Sequence, residues 1–405
     1  MGFGVTGLRG DAAVVGIAEW PTERKYTGAR SFQIEQWAQL AAEALADAGI
    51  DSSEVNGLVT SDLRESKDFV PATIAEYCGW EVNFAERVDI GGASPVGAVW
   101  RAAAAIELGL CDVVVCAVPS RPRPRPTVTK GPRQDWGAMG ASSMEWGSPQ
   151  AEFDIPHGNV AQNAGYAMIA QRYASEFGWD ERALAKIAAD QRRSANMTPG
   201  AVFRDVPITI DDVLASKVVA DPIHVLEIVM PCNGGSAVVV TSRERAARSN
   251  HRPAFVKGFG ERLAYKTHSY AADMIRTPIA HAADQAFTMA GVSRADVDAC
   301  QLYDCYTITV LLSIEDAGFC KKGEGIEFVN GHDLSWEGDF PMNTNGGQLG
   351  FGQPGAAGGM IHITEAVRQI QGRAGDRQLG QADTMFVSGN GGIISEQTAL
   401  VLQGG

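Results

Sequence analysis

Four consecutive residues, Tyr303, Asp304, Cys305 and Tyr306, carry groups able to donate, accept or hold a proton. They follow an apolar run (Ala299, Cys300, Gln301, Leu302) that reads as a short buried strand, and a helical pattern begins after them. In open α/β sheets the carboxyl ends of strands and the starts of helices are where ligands collect. Three glycine-rich segments read as further pieces of such a site: 91-GGAS-94, 345-NGGQLGFGQPGAAGG-359 and 388-SGNGG-392. Glycine lets backbone N–H groups approach a ligand closely, and such groups suit an oxyanion or enolate. His157, in DIPHGN, is a lone loop histidine, read either as an acid/base or as an ordinary exposed side chain.

Each of these residues also has a plain structural reading. A tyrosine at a strand end is commonly a half-buried packing residue with a satisfied hydroxyl. Tyr306 reads equally as packing or as pocket wall. Asp304 orients neighbours or merely ends a strand, and Cys305 reads as a small buried hydrophobe. Gln353 caps the start of a helix or takes part in the chemistry.

The elements that must position these groups alternate in type. AAVVGIAEW, VNGLVTSD, DVVVCAV, GGSAVVVTS and PAFVKGFGERL read as strands. SFQIEQWAQLAAEALADAGI places Ile34, Trp37, Ala41, Leu45 and Ala48 on one helical face. GASPVGAVWRAAAAIELGL is apolar almost all round, so it reads as a buried helix. The fold class is therefore α/β. Roughly between residues 118 and 225 the pattern turns irregular and reads as an insertion over the α/β body. Within it, SRPRPRPTVTKGPR reads as extended, and NVAQNAGYAMIAQRYASEFG and DERALAKIAADQRRSA read as helices.

An internal repeat organises the whole. The stretch 48-AGIDSSEVNGLVTSD-62 matches 290-AGVSRADVDACQLYD-304 at a constant offset of 242. Each copy ends a helix at Ala-Gly, then sets a capping residue (Asp51, Ser293) three before an acid (Glu54, Asp296). A second pair, 92-GASPVGAV-99 and 353-QPGAAGGM-360, aligns with offset 261 and sets Gly92 opposite Gln353. The expectation is two homologous α/β halves about a pseudo-two-fold axis: residues 1–118 with 226–248, then 249–405, with 119–225 as the inserted loop domain.

Composition bounds the partners. Hydrophobic residues are 45% and charged residues 20%, and Lys+Arg 34 against Asp+Glu 48 leaves a net charge of -14. That charge argues against nucleic acid or an anionic membrane as the main partner. No apolar run is long enough for a membrane span, and the N-terminus lacks a signal-peptide pattern. Seven scattered cysteines without CxxC pairs suggest reduced thiols and a cytoplasmic protein. Nothing in the composition indicates a metal site.

The segments 206-VPITIDDVLASKVVADPIHVLEIVMPCNGGSAVVVTS-242 and 342-MNTNGGQLGFGQPGAAGG-359, with the closing GNGG turn, resemble the thiolase superfamily, in its sterol-carrier-protein branch. The resemblance covers nearly the whole chain. It implies a five-layer αβαβα thiolase fold. It also implies a nucleophilic cysteine opening the buried helix and two catalytic histidines. Gly92, Tyr303 and Gln353 stand at those positions, and none of the seven histidines matches. Gly92 cannot carry an acyl group, which argues against cysteine-dependent thiolysis or Claisen condensation at that position. The pattern resembles instead the thiolase-like aldolases of bacterial steroid side-chain degradation, which split a β-hydroxyacyl-CoA. In that branch a tyrosine stands where Tyr303 does, and a second is expected where this chain has Gln353.

The resemblance then implies Tyr303 as base or proton relay, with Gln353 and Asp304 beside it. Gly92 and Gly392 would hold an enolate oxygen, and Asn390, Tyr306 and His157 would line the substrate site. It implies a CoA thioester as substrate with no further cofactor. It also implies a homodimer and a small OB-fold/zinc-ribbon partner completing a heterotetramer. Two alternatives stand beside the lyase. One is a non-catalytic acyl-CoA-binding scaffold. The other is an acyltransferase using Cys232 or Cys305.

Overall fold

A computed structural model describes residues 7–124, 147–159 and 162–405. The proline-alternating run lies mostly outside these residues.

In the first half, strands β1 (Ala12–Glu23), β2 (Gly57–Thr60), β3 (Phe84–Arg87) and β4 (Val113–Ser120) alternate with helices α1 (Gln33–Ala48), α2 (Val70–Cys78) and α3 (Ser94–Glu107). Then come α4 (Gln162–Phe177), α5 (Glu181–Asn196), α6 (Ile210–Ala215) and a small hairpin of β5 (Val218–Ala220) with β6 (Ile223–His224). The chain returns as β7 (Asn233–Ser242), α7 (Arg243–Ala246), β8 (Ala254–Leu263), α8 (Ile279–Ala290), β9 (Ala299–Gln301) and α9 (Thr307–Asp316). It closes with α10 (Gly325–Gly331), α11 (Gly347–Gly350), α12 (Gly358–Ile370), β10 (Thr384–Gly391) and β11 (Glu396–Gly404).

The strands form one mixed sheet in the order β3-β2-β4-β7-β1-β8-β11-β10-β9. The order is a near mirror about the short β1–β8 pairing, where Ala13 meets Phe255 and Val14 meets Ala254. Alternation along each strand builds the layers, because successive side chains point to opposite faces. Val238 and Val240 of β7 join Met385 and Val387 of β10 in a central cluster with α3 and α12. Ala237 and Val239 face α1 and α2 on one outside, and Phe386 faces α8 and α9 on the other. Helices, half-sheet, paired central helices, half-sheet and helices give the five-layer αβαβα order of the thiolase fold. Helices α4 and α5 add Tyr166, Ile169, Leu184 and Ile187 to the cluster under α8 and α9.

The first repeat has matching structure in both copies. Gly49 and Gly291 both end helices in the left-handed conformation, with φ of 69° and 70°. Both capping boxes form, on Asp51 with Glu54 and on Ser293 with Asp296. The second pair corrects the sequence alignment. The 3-10 turn before α3 is Gly91–Ala93 and the one before α12 is Gly355–Ala357. These turns and the helices after them (Ser94 and Gly358) are 264 apart, not 261. Gly92 therefore pairs with Ala356, and Gln353 lies ahead of its turn. Matching glycine to glycine slipped the register by three, close to one helical turn, which preserves the buried face.

Candidate active site

The chain leaving β9 is strapped in place before it reaches the reactive cluster. Leu302 N–H donates to Asn343 Oδ1 at 2.7 Å, and Asn343 Nδ2 donates back to Leu302 O at 2.8 Å. Tyr303 N–H donates to Ser388 Oγ of the adjacent β10 at 3.0 Å. β9 runs parallel to β10, so Tyr303 emerges at the carboxyl end of a parallel pair.

Its side chain reaches a cavity of about 980 Å³ that Gly92, Gln353, Asn390, Gly392 and Cys305 also line. Tyr303 itself is only 5% exposed. Burial pushes its phenol well above the ordinary tyrosine value, and nearby Cys305 and Asp304 push the same way. Hydrogen bonds with the side-chain amides of Gln353 and Gln348 oppose the shift without reversing it. The group is a neutral phenol across the physiological range.

Gly92 lies directly against that ring. A Cβ at position 92 would sit 2.6 Å from Tyr303 Cζ and 2.5 Å from Asn390 O. Gln353 is anchored by its backbone, whose oxygen accepts from Cys232 N–H at 3.0 Å. Asn390 Nδ2 donates to the Tyr166 hydroxyl at 3.0 Å, and its Oδ1 accepts from Gln397 at 2.6 Å.

Asp304 departs from the strand-ending reading suggested by Asp62. Asp62 is exposed and pairs with Arg87. Asp304 is wholly buried and accepts from Gln348 N–H at 2.8 Å and Leu349 N–H at 3.1 Å. It holds the first turn of α11, and Gly347 (φ 57°) must lack a side chain there because a Cβ would strike the carboxylate.

Two expected site residues lie elsewhere. Tyr306 stands at the start of α9, stacked on Tyr166 at 4.0 Å, with its hydroxyl donating to Asn163 Oδ1 at 2.5 Å. That fixes it in the packed interior rather than in the cavity wall. His157 sits on an exposed 3-10 turn and does not line the cavity. Sequence reading missed His362, wholly buried on α12 with Nε2 3.3 Å from Asp304 Oδ1 and its ring centroid 6.0 Å from that of Tyr303. The available signal was a histidine in an otherwise apolar stretch, 360-MIHI-363. It missed Gln348 as well.

The cysteines offered as relocated nucleophiles are poorly prepared. Burial raises Cys232 to about 12 and Cys305 to about 11. A nucleophilic thiol needs a lowered pKa.

A steroid side-chain-cleaving aldolase of Thermomonospora curvata is 33% identical over 393 residues, covering 95% of this chain and 96% of that one. The chain belongs to the thiolase superfamily, in its steroid side-chain aldolase branch. A second relative in this branch, the 17-hydroxy-3-oxo-4-pregnene-20-carboxyl-CoA lyase of Mycobacterium tuberculosis, is 30% identical and covers 95% of this chain and 97% of its own. Among solved structures, the Ltp2-ChsH2(DUF35) aldolase superposes with a TM-score of 0.85 at 30% identity, over 98% of both chains. Residues 260–404 also match the family described as Thiolase C-terminal domain-like. Among the described residues no helix is long and apolar enough to cross a membrane.

Proposed function

We propose that this chain is a carbon–carbon lyase that cleaves a steroid side-chain β-hydroxyacyl-CoA by a retro-aldol reaction, releasing a short acyl-CoA and a ketone. The observation that carries this reading is the Tyr303 phenol facing a roomy cavity across Gly92, where a nucleophilic side chain has no space.

Retro-aldol cleavage needs no acyl-enzyme. The β-hydroxyl gives up its proton as the bond between the α- and β-carbons breaks. The bonding electrons move into the thioester as an enolate, which then takes a proton at the α-carbon. A phenol held neutral by burial is a poor reservoir of phenolate. Tyr303 therefore relays: its oxygen takes the hydroxyl proton while its own proton passes toward the α-carbon, and no free phenolate forms. Gln353 hydrogen-bonds the phenol and exchanges no proton. The backbone N–H groups of Gly92 and Gly392, both on the cavity wall, hold the enolate oxygen. Arg64 and Lys266, on the same wall, supply positive charge for the CoA phosphates. The thioester is the substrate, and the scheme uses no additional cofactor.

The name of the solved relative, Ltp2-ChsH2(DUF35) aldolase, supports a protein partner for this chain. We assign that role to a small OB-fold/zinc-ribbon protein, in a heterotetramer built on a homodimer of this chain.

The test is to purify the chain with its small partner and follow acyl-CoA and ketone release from a branched β-hydroxyacyl-CoA. Tyr303→Phe should lower turnover by about 100-fold or more while leaving thioester binding and folding intact. Full turnover by that variant would remove Tyr303 from the chemistry. Binding without turnover by the wild-type complex would favour the scaffold reading.

A further inference from the structure

The turn that joins β10 to β11 carries a backbone shape that its sequence resists. It runs through Gly392, Ile393, Ile394 and Ser395, and the first two line the cavity. Gly392 (φ 59°) and Ile394 (φ 58°) are both left-handed. Glycine adopts that conformation freely, whereas a β-branched side chain crowds the backbone there. Among the described residues, Phe69, Asn343 and Ile394 are the non-glycine positions with positive φ, and only Ile394 is β-branched. Such a residue persists where its surroundings dictate its shape, and strained turns of this kind gather at functional sites.

Ile394 is 1% exposed, packed in the cluster that also holds Tyr303 and Phe386. Tyr265, just past the end of β8, donates its hydroxyl to Ile394 O at 3.0 Å. The adjacent Ala264 N–H donates to Ser395 O at 3.1 Å, and Ser395 N–H donates to Gly391 O at 3.2 Å. Burial, with the Asp316 and Asp273 carboxylates acting the same way, raises the Tyr265 phenol above its ordinary value, so the hydroxyl keeps the proton it donates. The turn packs against the one that carries Gly92: a Cβ on Gly91 would sit 3.2 Å from Gly392 N. Both ends of the turn are fixed, because Gly391 pairs with Glu396, and Glu396 pairs in turn with Leu263 of β8. Were Ile394 to leave the left-handed region, its φ would swing by about 100° or more. With the ends clamped, that rotation would fall on Gly392 and Ile393.

We propose that Tyr265 is a positioning residue for the aldol cleavage: its hydroxyl locks the strained Ile394 peptide and so aims the Gly392 N–H at the enolate oxygen. This rests on Gly392 as an enolate donor in the lyase scheme. A donor aimed in advance needs no reorganisation when charge develops on the thioester oxygen.

Kinetics and thermal melts of the complex, with the branched β-hydroxyacyl-CoA as substrate, test it. Tyr265→Phe keeps the ring and its packing, so the fold is retained. It should lower kcat by about tenfold or more, part of what losing a whole enolate donor costs, with KM within about twofold. Adding Ile394→Gly to Tyr265→Phe should regain most of that kcat, because glycine holds the left-handed shape without a tether. The double variant should nonetheless melt below Tyr265→Phe, since a buried side chain is lost. A purely structural tyrosine predicts a double variant both less stable and less active than Tyr265→Phe, and that result would overturn the proposal. An active Tyr303→Phe enzyme would sink the lyase scheme itself. An inactive Tyr303→Phe beside a fully active Tyr265→Phe would sink only this inference.

Discussion

Gly92 and the Tyr303 phenol share one small space, the glycine lacking the carbon that would lie 2.6 Å from Tyr303 Cζ. The two positions are therefore coupled: a nucleophile at residue 92 and a phenol at residue 303 exclude one another. Gly92→Ala should displace the ring and lower kcat by about 100-fold, the scale of an ångström-sized misplacement. Gly92→Cys should show neither aldolase nor thiolase turnover, since the ring blocks the thiol and no histidine stands where a thiolase keeps its bases. Steady-state assays with hydroxyacyl-CoA and ketoacyl-CoA substrates check both outcomes.

Gln353 supports the phenol from the cavity side. Its backbone, not its side chain, anchors the loop through Cys232 N–H. Gln353→Ala should therefore leave the melting temperature nearly unchanged while lowering kcat by about tenfold, the worth of one hydrogen bond to the reacting group. Paired thermal melts and kinetics separate the effects. A large drop in melting temperature would show that the amide is mainly structural.

The strands, the buried central helix and the repeat were legible because their signals are local. Period-two and period-3.6 patterns depend on neighbours in sequence. Tyr303, Gly92 and Gln353 were legible through the thiolase pattern, and their meeting at one cavity depends on the pseudo-two-fold packing. The sequence leaves Asp304 between orienting its neighbours and ending a strand as its repeat partner Asp62 does, because only the folded α11 turn supplies the N–H groups that Asp304 binds. His362 and Gln348 were missed because nothing in their own neighbourhoods marks them. Their significance arises where α11 and α12 meet the end of β9. Tyr306 was ambiguous in sequence because its partners, Tyr166 and Asn163, lie some 140 residues away.

Cys305 lines the cavity, yet burial holds its thiol near 11. At pH 7 almost none of it is thiolate. Iodoacetamide should modify it slowly, and Cys305→Ala should keep kcat within about threefold, a small-hydrophobe exchange. Quenched turnover mixtures examined by mass spectrometry should show no acylated cysteine. An acyl adduct on Cys305 or Cys232 would restore the acyltransferase alternative.

The segment leading into α11 is held at Thr344 by a charge cluster that gives the protein an acid-sensitive support. Glu365 accepts from Thr344 Oγ1 at 2.7 Å and Arg368 Nη1 at 2.8 Å, and Arg377 Nη1 donates both to it and to Thr344 O. Burial would raise this carboxyl, but Arg377 and Arg368 outweigh it and hold it at about 2, below the ordinary 4.5. A depressed carboxyl stabilises the fold fully above its unfolded value and loses that contribution as pH falls through its folded one. The window here runs from about pH 4.5 down to about 2. Glu365→Gln takes the carboxylate partner from the buried Arg377 guanidinium and leaves the half-buried Arg368 with Glu19 alone, so it should cost about 3–5 kcal/mol at pH 7. Its stability should also vary less than wild type across that acid window. Urea unfolding measured at pH 7, 4.5 and 3 tests both statements: parallel pH profiles for the two proteins would show that Glu365 is not the titrating support.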